Sequence, residues 1–384
     1  MNIKNLSFFA AIIIVTFPFA ESKESQKNKW KGTISNENGI EVIKNPTVPL
    51  YGDIKFNLKE DLSIGQENDN RYMFYRIIDV KVDADENIYV MDIGNKRIQK
   101  YDRFGKYLCT IGREGQGPGE FQSPLSFDID DNQGIVGVLD GRKLKLFDKK
   151  GKYLNKDITF DHFNEKIVLD TGGNIWGIGS ENEDSDNGQM NVYKVLSRYT
   201  TEGKIDKKIS RIQYDIFTTR TEQGTVSVVL TEEYDLLICP LNGPGLVNGY
   251  SKEYKINLID SEGSSLKTII KEEPYNQFTP DEKKKAGKAA KFPEHRPFFY
   301  LLFPDSKGRI YVRRNNLRPF EDGERRFDIF SKDGYFLYTS TFSSNPFLIK
   351  NGFLYTQIIN NDSGEIKVKR LKIKNWDQIK ENIF

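Results

Sequence analysis

Residues Tyr75 to Gly112, YRIIDVKVDADENIYVMDIGNKRIQKYDRFGKYLCTIG, decide the fold. Ile78, Val80 and Val82 alternate with Asp79 and Lys81, the period-2 pattern of a strand with one buried face. Asp83-Ala84-Asp85-Glu86-Asn87 then supplies turn formers before Ile88-Tyr89-Val90-Met91, and Asp92-Ile93-Gly94-Asn95 makes a second break. Arg97 to Tyr101 reads as a third strand, Asp102-Arg103-Phe104-Gly105 as a third turn, and Tyr107 to Ile111 as a fourth strand. Four short strands and three tight turns make a meander of the length of one β-propeller blade.

Weaker copies recur. The turn before a last strand reappears at Asp148-Lys149-Lys150-Gly151, Thr200-Thr201-Glu202-Gly203, Asp260-Ser261-Glu262-Gly263 and Ser331-Lys332-Asp333-Gly334. The start of a second strand, Asn87-Ile88-Tyr89-Val90, is matched at Gly134-Ile135, Asn174-Ile175, Asp235-Leu236, Arg309-Ile310 and Gly352-Phe353. The first landmark occurs five times and the second six, so one blade lacks its own last strand. Leu62-Ser63-Ile64-Gly65 resembles Cys109-Thr110-Ile111-Gly112 and has no first three strands before it. Placed in the vacancy, it closes an all-β, six-bladed propeller of four-stranded antiparallel blades and leaves no open ring edge.

Residues 73–124 resemble the NHL-repeat family of six-bladed propellers through Asp83, Asn87-Ile88-Tyr89-Val90, Asp92, Asn95, Arg97-Ile98, Tyr101-Asp102, Gly105 and the link Gly115-Gln116-Gly117-Pro118-Gly119-Glu120-Phe121. The resemblance implies a TolB-like or NHL-like fold and a tendency to bind ligands or partners, not a reaction. Later blades lack the Asn-x-Arg-Ile element.

Composition sets the remaining bounds. With 37% hydrophobic residues the chain has ample material for a core, and repeats around one axis override the two or three domains that 384 residues would otherwise suggest. Met1 to Ala20, with Lys4 before the apolar run Leu6–Phe19, reads as a secretory signal peptide, a membrane anchor being the rival reading. The expected organisation is a signal peptide over 1–20, an extension with an accessory hairpin over 21–52, the propeller over 53–375 and a tail over 376–384. It is the organisation of a secreted or periplasmic monomer without a membrane span. A formal charge of +2 with dispersed Lys and Arg gives no concentrated basic face for nucleic acid. Cys109 and Cys239 fall in opposite blades, too far apart for a disulfide.

Extra chain collects at Ser180–Met190, Pro240–Ser251, Arg313–Arg325 and the link Lys271–Phe299. Loops between second and third strands and links between blades leave a propeller on one face, and insertions gathered there mark a binding face. In the link, Thr279-Pro280-Asp281-Glu282 is a capping box opening a lysine-rich helix that runs to about Lys291. Tyr250, Phe298, Phe299, Arg313, Arg314, Arg318 and Phe320 are the expected ligand or partner contacts, arginine and aromatics being the side chains that anchor interfaces.

Reaction chemistry is sparse. His162 and His295 are the only histidines, too few for a multi-histidine metal site, and neither lies near a G-x-S-x-G nucleophile. Asp184 and Asp186 among Glu181, Asn182 and Glu183 could hold calcium through oxygen ligands, though without EF-hand spacing. The expected function is a non-enzymatic binding or scaffold module for a protein, glycan or small molecule. The alternative is a metal-dependent hydrolase or lactonase-like enzyme working at the central channel.

Overall fold

In the computed structural model, residues 30–381 are described except 67, 185–189, 215–216, 222–223, 229–233, 287–291 and 316–323. Six blades of four antiparallel strands form the ring, five as four-stranded sheets and one within a six-stranded sheet. Blade 1 is Ile77–Val82, Ile88–Asp92, Arg97–Tyr101 and Tyr107–Ile111; blade 2 is Pro124–Asp130, Ile135–Asp140, Lys143–Asp148 and Tyr153–Thr159. Blade 3 is Asn164–Leu169, Ile175–Asp184, Met190–Tyr199 and Ile205–Tyr214; blade 4 is Leu236–Pro240, Leu246–Tyr250, Lys255–Ile259 and Ser265–Lys271. Blade 5 is Phe299–Pro304, Ile310–Arg314, Arg325–Phe330 and Phe336–Phe342. Blade 6 takes Pro346–Lys350, Phe353–Ile359 and Ile366–Ile373 from one end of the chain and Leu58–Ile64 from the other, with Val368 opposite Ile64. The first strands pack side by side in blade order, and that of blade 6 returns to blade 1.

The alternation seen in the sequence buries one apolar cluster in each cleft between neighbouring blades. Tyr89 and Met91 of blade 1 meet Phe121 of the following link and Phe127 of blade 2, and Val247 and Ile256 of blade 4 meet Phe299 and Phe330 of blade 5. The repeated turns hold because a side chain at their first position accepts backbone N–H groups, which keeps the turn from competing structures. Asp102 accepts from Phe104 and Lys106, Asp148 from Lys150 and Lys152, Asp260 from Glu262 and Ser264, and the Ser331 hydroxyl from Asp333 and Tyr335.

Two features depart from expectation. Asp235-Leu236 opens the first strand of blade 4, not its second, so Pro240–Ser251 is not an inserted loop. It is a tight turn at Leu241–Gly245 followed by the second strand Leu246–Tyr250, and that turn lies on the face opposite the loops joining second and third strands. The chain growth that remains sits on one face all the same. Among the described residues it comprises the lengthened hairpin of Ile175–Asp184 and Met190–Tyr199, a separate hairpin of Phe217–Thr221 and Gly224–Val228 between blades 3 and 4, and the link before blade 5, while most of the stretch Arg313–Arg325 lies outside the described residues.

The second feature is a belt. Asn38 and Gly39, both at positive φ, turn the hairpin Thr33–Glu37 and Ile40–Asn45. Ile40–Asn45 then pairs in parallel with the outer strand of blade 4. Leu50, Tyr51 and Ile54 donate to Phe336, Leu337 and Thr339 on the outer strand of blade 5 before Leu58–Ile64 completes blade 6. Residues 33–54 thus cover the outer edges of blades 4 and 5, and Leu58–Ile64 is the outer strand of blade 6 itself. Asn45 fastens the belt: its Oδ1 accepts from Trp30 Nε1 at 3.1 Å and Phe336 N at 2.8 Å, and its Nδ2 donates to Gly334 O at 2.8 Å.

Residues 1–20, read as a signal peptide, lie outside the described residues, where no helix is long and apolar enough to cross a membrane. Cys109 and Cys239 are both free thiols.

Candidate binding face

The decorated face over blades 4 and 5 rests on a buried charge network. Lys271, at the end of the outer strand of blade 4, places Nζ 2.5 Å from Glu273 Oε2 and 2.8 Å from Asp328 Oδ2 on the third strand of blade 5. Tyr254 donates to the same Asp328 oxygen at 2.5 Å, and Arg314 binds Glu273. Lys271 and Asp328 have fully buried side chains, which is sustainable only because each charge is paired and hydrogen-bonded. Burial, with the Asp328 charge beside it, raises the Tyr254 phenol well above its ordinary pKa, so the group serves as a hydrogen-bond donor. Burial opposes the Arg314 charge, but Asp328 and Glu273 outweigh it and leave its pKa raised.

Above this network the link from blade 4 to blade 5 is pinned rather than loose. The capping box forms, with Thr279 N donating to Glu282 Oε2 at 2.8 Å and Glu282 N to Thr279 Oγ1 at 3.3 Å. The described helix is Pro280–Ala286; Lys288 and Lys291 lie outside the described residues. Glu282 also takes the buried Arg296 at 2.6 Å, and Arg296 lies 4.3 Å over the Phe278 ring. His295 is buried, its ring 4.4 Å from Tyr275 and 5.2 Å from both Tyr234 and Phe298. Tyr275 itself is 64% exposed, a large ring presented on a fixed support.

The expected contact residues separate by strand parity. Arg313 and Arg314, adjacent in sequence, point to opposite faces of one strand. Arg314 enters the Lys271 network, whereas Arg313 lies 5.8 Å over the ring of Tyr300, on the first strand of the blade. Burial and the nearby Arg325 charge lower the Arg313 pKa. Phe298 is half-buried against Tyr254 and Tyr275, and Tyr250 against Tyr234. Phe299 is fully buried in the core between blades 4 and 5 and offers no surface to a ligand. Arg318 and Phe320 lie outside the described residues.

The acidic stretch of blade 3 is already spoken for where it is described. Lys208 lies 2.5 Å from Glu181, and Arg211 pairs with both Glu181 and Glu183. Asp184 ends the second strand, opposite Met190, and Asp186 is outside the described residues. Among the described residues, no group of three or more His, Cys, Asp or Glu side chains is placed to hold a metal ion. On the first strands, Lys81 lies 3.0 Å from Asp128 and 3.8 Å from Asp79, and Asp128 accepts the Leu169 N–H at 3.0 Å. Both carboxylates converge on the Lys81 ammonium, and Asp128 also caps a strand edge.

Comparison with known proteins agrees with this architecture. The DUF5128 family, described as a 6-bladed beta-propeller, matches residues 67–229, which span blades 1 to 3 and part of the next link. The chain is similar to a Bacteroides fragilis protein described as exported, at 12% identity and a TM-score of 0.57, over 87% of this chain and 99% of that one. It is also similar to a member of the DUF4221 family from Bacteroides vulgatus, at 11% identity and a TM-score of 0.50, over 83% and 98%. A virginiamycin B lyase from Staphylococcus aureus shares 12% identity at a TM-score of 0.41, over 83% and 99%. No curated protein matches the sequence. At such identities the likeness to the two Bacteroides proteins, with the family match, establishes the fold alone, and the fold is the six-bladed propeller.

Proposed function

We propose that the protein is an exported, non-enzymatic binding module that engages a protein or glycan through the decorated face over blades 4 and 5. The observation that carries this reading is the exposed Tyr275, held over a buried network by the pinned link, on the one face where the chain has grown. Rigid aromatics beside arginine are the chemistry of interface anchors. Export rests on the apolar run Leu6–Phe19 and on the description of the B. fragilis neighbour. Kinship to NHL propellers rests on residues 73–124.

The test is retention of extracellular partners on the immobilised protein, with bound species identified by mass spectrometry. Tyr275→Ala and Arg313→Ala should each reduce retention at least tenfold, the weight of one good anchor, without lowering Tm. Undiminished retention by both variants would overturn the face assignment. Lactone hydrolysis that disappears on chelation would instead establish the channel enzyme. Deleting Pro240–Ser251 is no test of this face, because it removes a blade strand.

A further inference from the structure

The opposite face holds a cavity of about 170 Å³ at the seam where blade 6 meets blade 1, bounded by Glu86, Arg103, Phe104, Lys350, Asn351 and Arg370. Glu86 has φ of +65°, in the left-handed region. Its N–H bonds Asp83 O across the turn between first and second strands. At the same position in blades 3 and 5, bonded the same way to Asp170 and Asp305, stand Gly173 and Gly308, each with φ of +82°. A β-carbon is strained in that conformation, so the backbone alone selects glycine, and blade 1 carries a carboxylate there at a cost in stability. Asn351, across the seam, also has positive φ, +51°, and its Nδ2 lies 3.4 Å from Glu86 Oε1. Strain of this kind clusters at active sites and ligand clamps.

The rest of the wall is cationic and aromatic. Arg103 lies 4.8 Å over the Phe104 ring and, among the described residues, has no carboxylate partner. Phe104 is 72% exposed. Arg370 is held by Asp61 at 2.5 Å and donates to Arg103 O at 2.8 Å, which fixes the turn carrying Arg103. Lys350 Nζ donates to Val82 O at 2.7 Å and Asp83 O at 3.0 Å, leaving its third N–H for another acceptor. Three cations thus surround one carboxylate in a space the size of a single small ring.

We propose that this cavity binds a carboxylated sugar, a uronic acid alone or at the end of a glycan. Arg103 and Lys350 take its carboxylate, Glu86 and Asn351 its hydroxyls, and Phe104 the apolar face of its ring. The site lies on the face opposite Tyr275 and stands or falls without it. Titration of the full chain with glucuronate, glucose and benzoate, followed by calorimetry or NMR, separates the contributions. Glucuronate should bind roughly tenfold or more tightly than either comparator, and Arg103→Gln or Phe104→Ala should each remove that margin without lowering Tm. Glu86→Gly should weaken glucuronate binding while leaving Tm equal or higher, since it removes strain. The proposal is overturned if glucose or benzoate binds as well as glucuronate, if Arg103→Gln binds normally, or if Glu86→Gly lowers Tm and keeps its affinity.

Discussion

Blades 1 to 3 and blades 4 to 6 close one ring with their charge in different places. In the first half the first strands carry ions, with Lys81, Asp128 and the Leu169 N–H joining blades 1, 2 and 3, and a second buried pair, Lys145 with Asp140, stands further out in blade 2. The outer strands of these blades end their sheets, and that of blade 3 is blunted by Lys207, Lys208 and Arg211. In the second half the first strands carry half-buried Leu237, Leu301 and Leu348 instead, the fully buried pair of Lys271 and Asp328 joins the outer strand of blade 4 to the third strand of blade 5, and the belt covers the outer edges of those two blades. The difference teaches where support is needed. The half that projects the pinned link before blade 5 is braced from beneath and from outside, whereas the half with short links between its blades is braced near the axis.

The largest effect should come from breaking the outer network. Asp328→Ala leaves Lys271 fully buried with one carboxylate and Tyr254 without its acceptor. Removing one partner of a buried pair costs about 3–5 kcal/mol, read as a fall in unfolding free energy by urea titration at neutral pH. A loss of about 1 kcal/mol or less would erase the contrast between the halves. Next comes the belt. Asn45→Ala orphans the Phe336 N–H and the Gly334 carbonyl, and at about 1–3 kcal/mol for a buried unmade bond it should cost about 2–3 kcal/mol. Amide exchange should rise first at Leu50, Tyr51 and Ile54, with blades 1 to 3 protected as before.

The same contrast explains what could be read in advance. Blade 1 was legible because each of its turns announces itself: Asp83 accepts from Asn87 at 2.8 Å, Asn95 donates to Asp92 at 2.6 Å, and Asp102 holds Phe104 and Lys106. Blade 4 was misregistered because its turn between first and second strands carries no such acceptor. The missing carboxylate comes from the neighbouring blade, Asp170 Oδ2 accepting the Gly245 N–H at 2.8 Å, and no local pattern records a partner 75 residues away. The site suffered from the same distance and from parity. Lys271 and Asp328 stand 57 residues apart, and a bulge between Phe299 and Leu301 decides which of two adjacent phenylalanines enters the core. Glu86 was visible only as a turn former, because its left-handed backbone is a property of the folded turn.

The smallest effect, and the one with a distinctive pH signature, belongs to the axis. Lys81→Met removes the cation between Asp79 and Asp128 while preserving most of the side-chain volume. Lys81 keeps 20% of its surface, so water softens the loss, and a cost of about 1.5–2 kcal/mol is expected, that of one charge-assisted hydrogen bond. In the folded protein burial opposes the Lys81 charge, but Asp128 and Asp79 outweigh it and raise its pKa above the ordinary lysine value. A raised folded pKa means that the folded chain holds this proton more tightly than the unfolded one. Its stabilisation is therefore complete below the unfolded value of about 10.4 and declines as pH rises beyond it. The gap in stability between wild type and Lys81→Met should accordingly stay level from about pH 6 to 9 and narrow above about pH 10.5. A gap that widens with alkalinity would mean that Lys81 is held against its charge, and the bracing of blades 1 to 3 would then have to be sought in their apolar clefts.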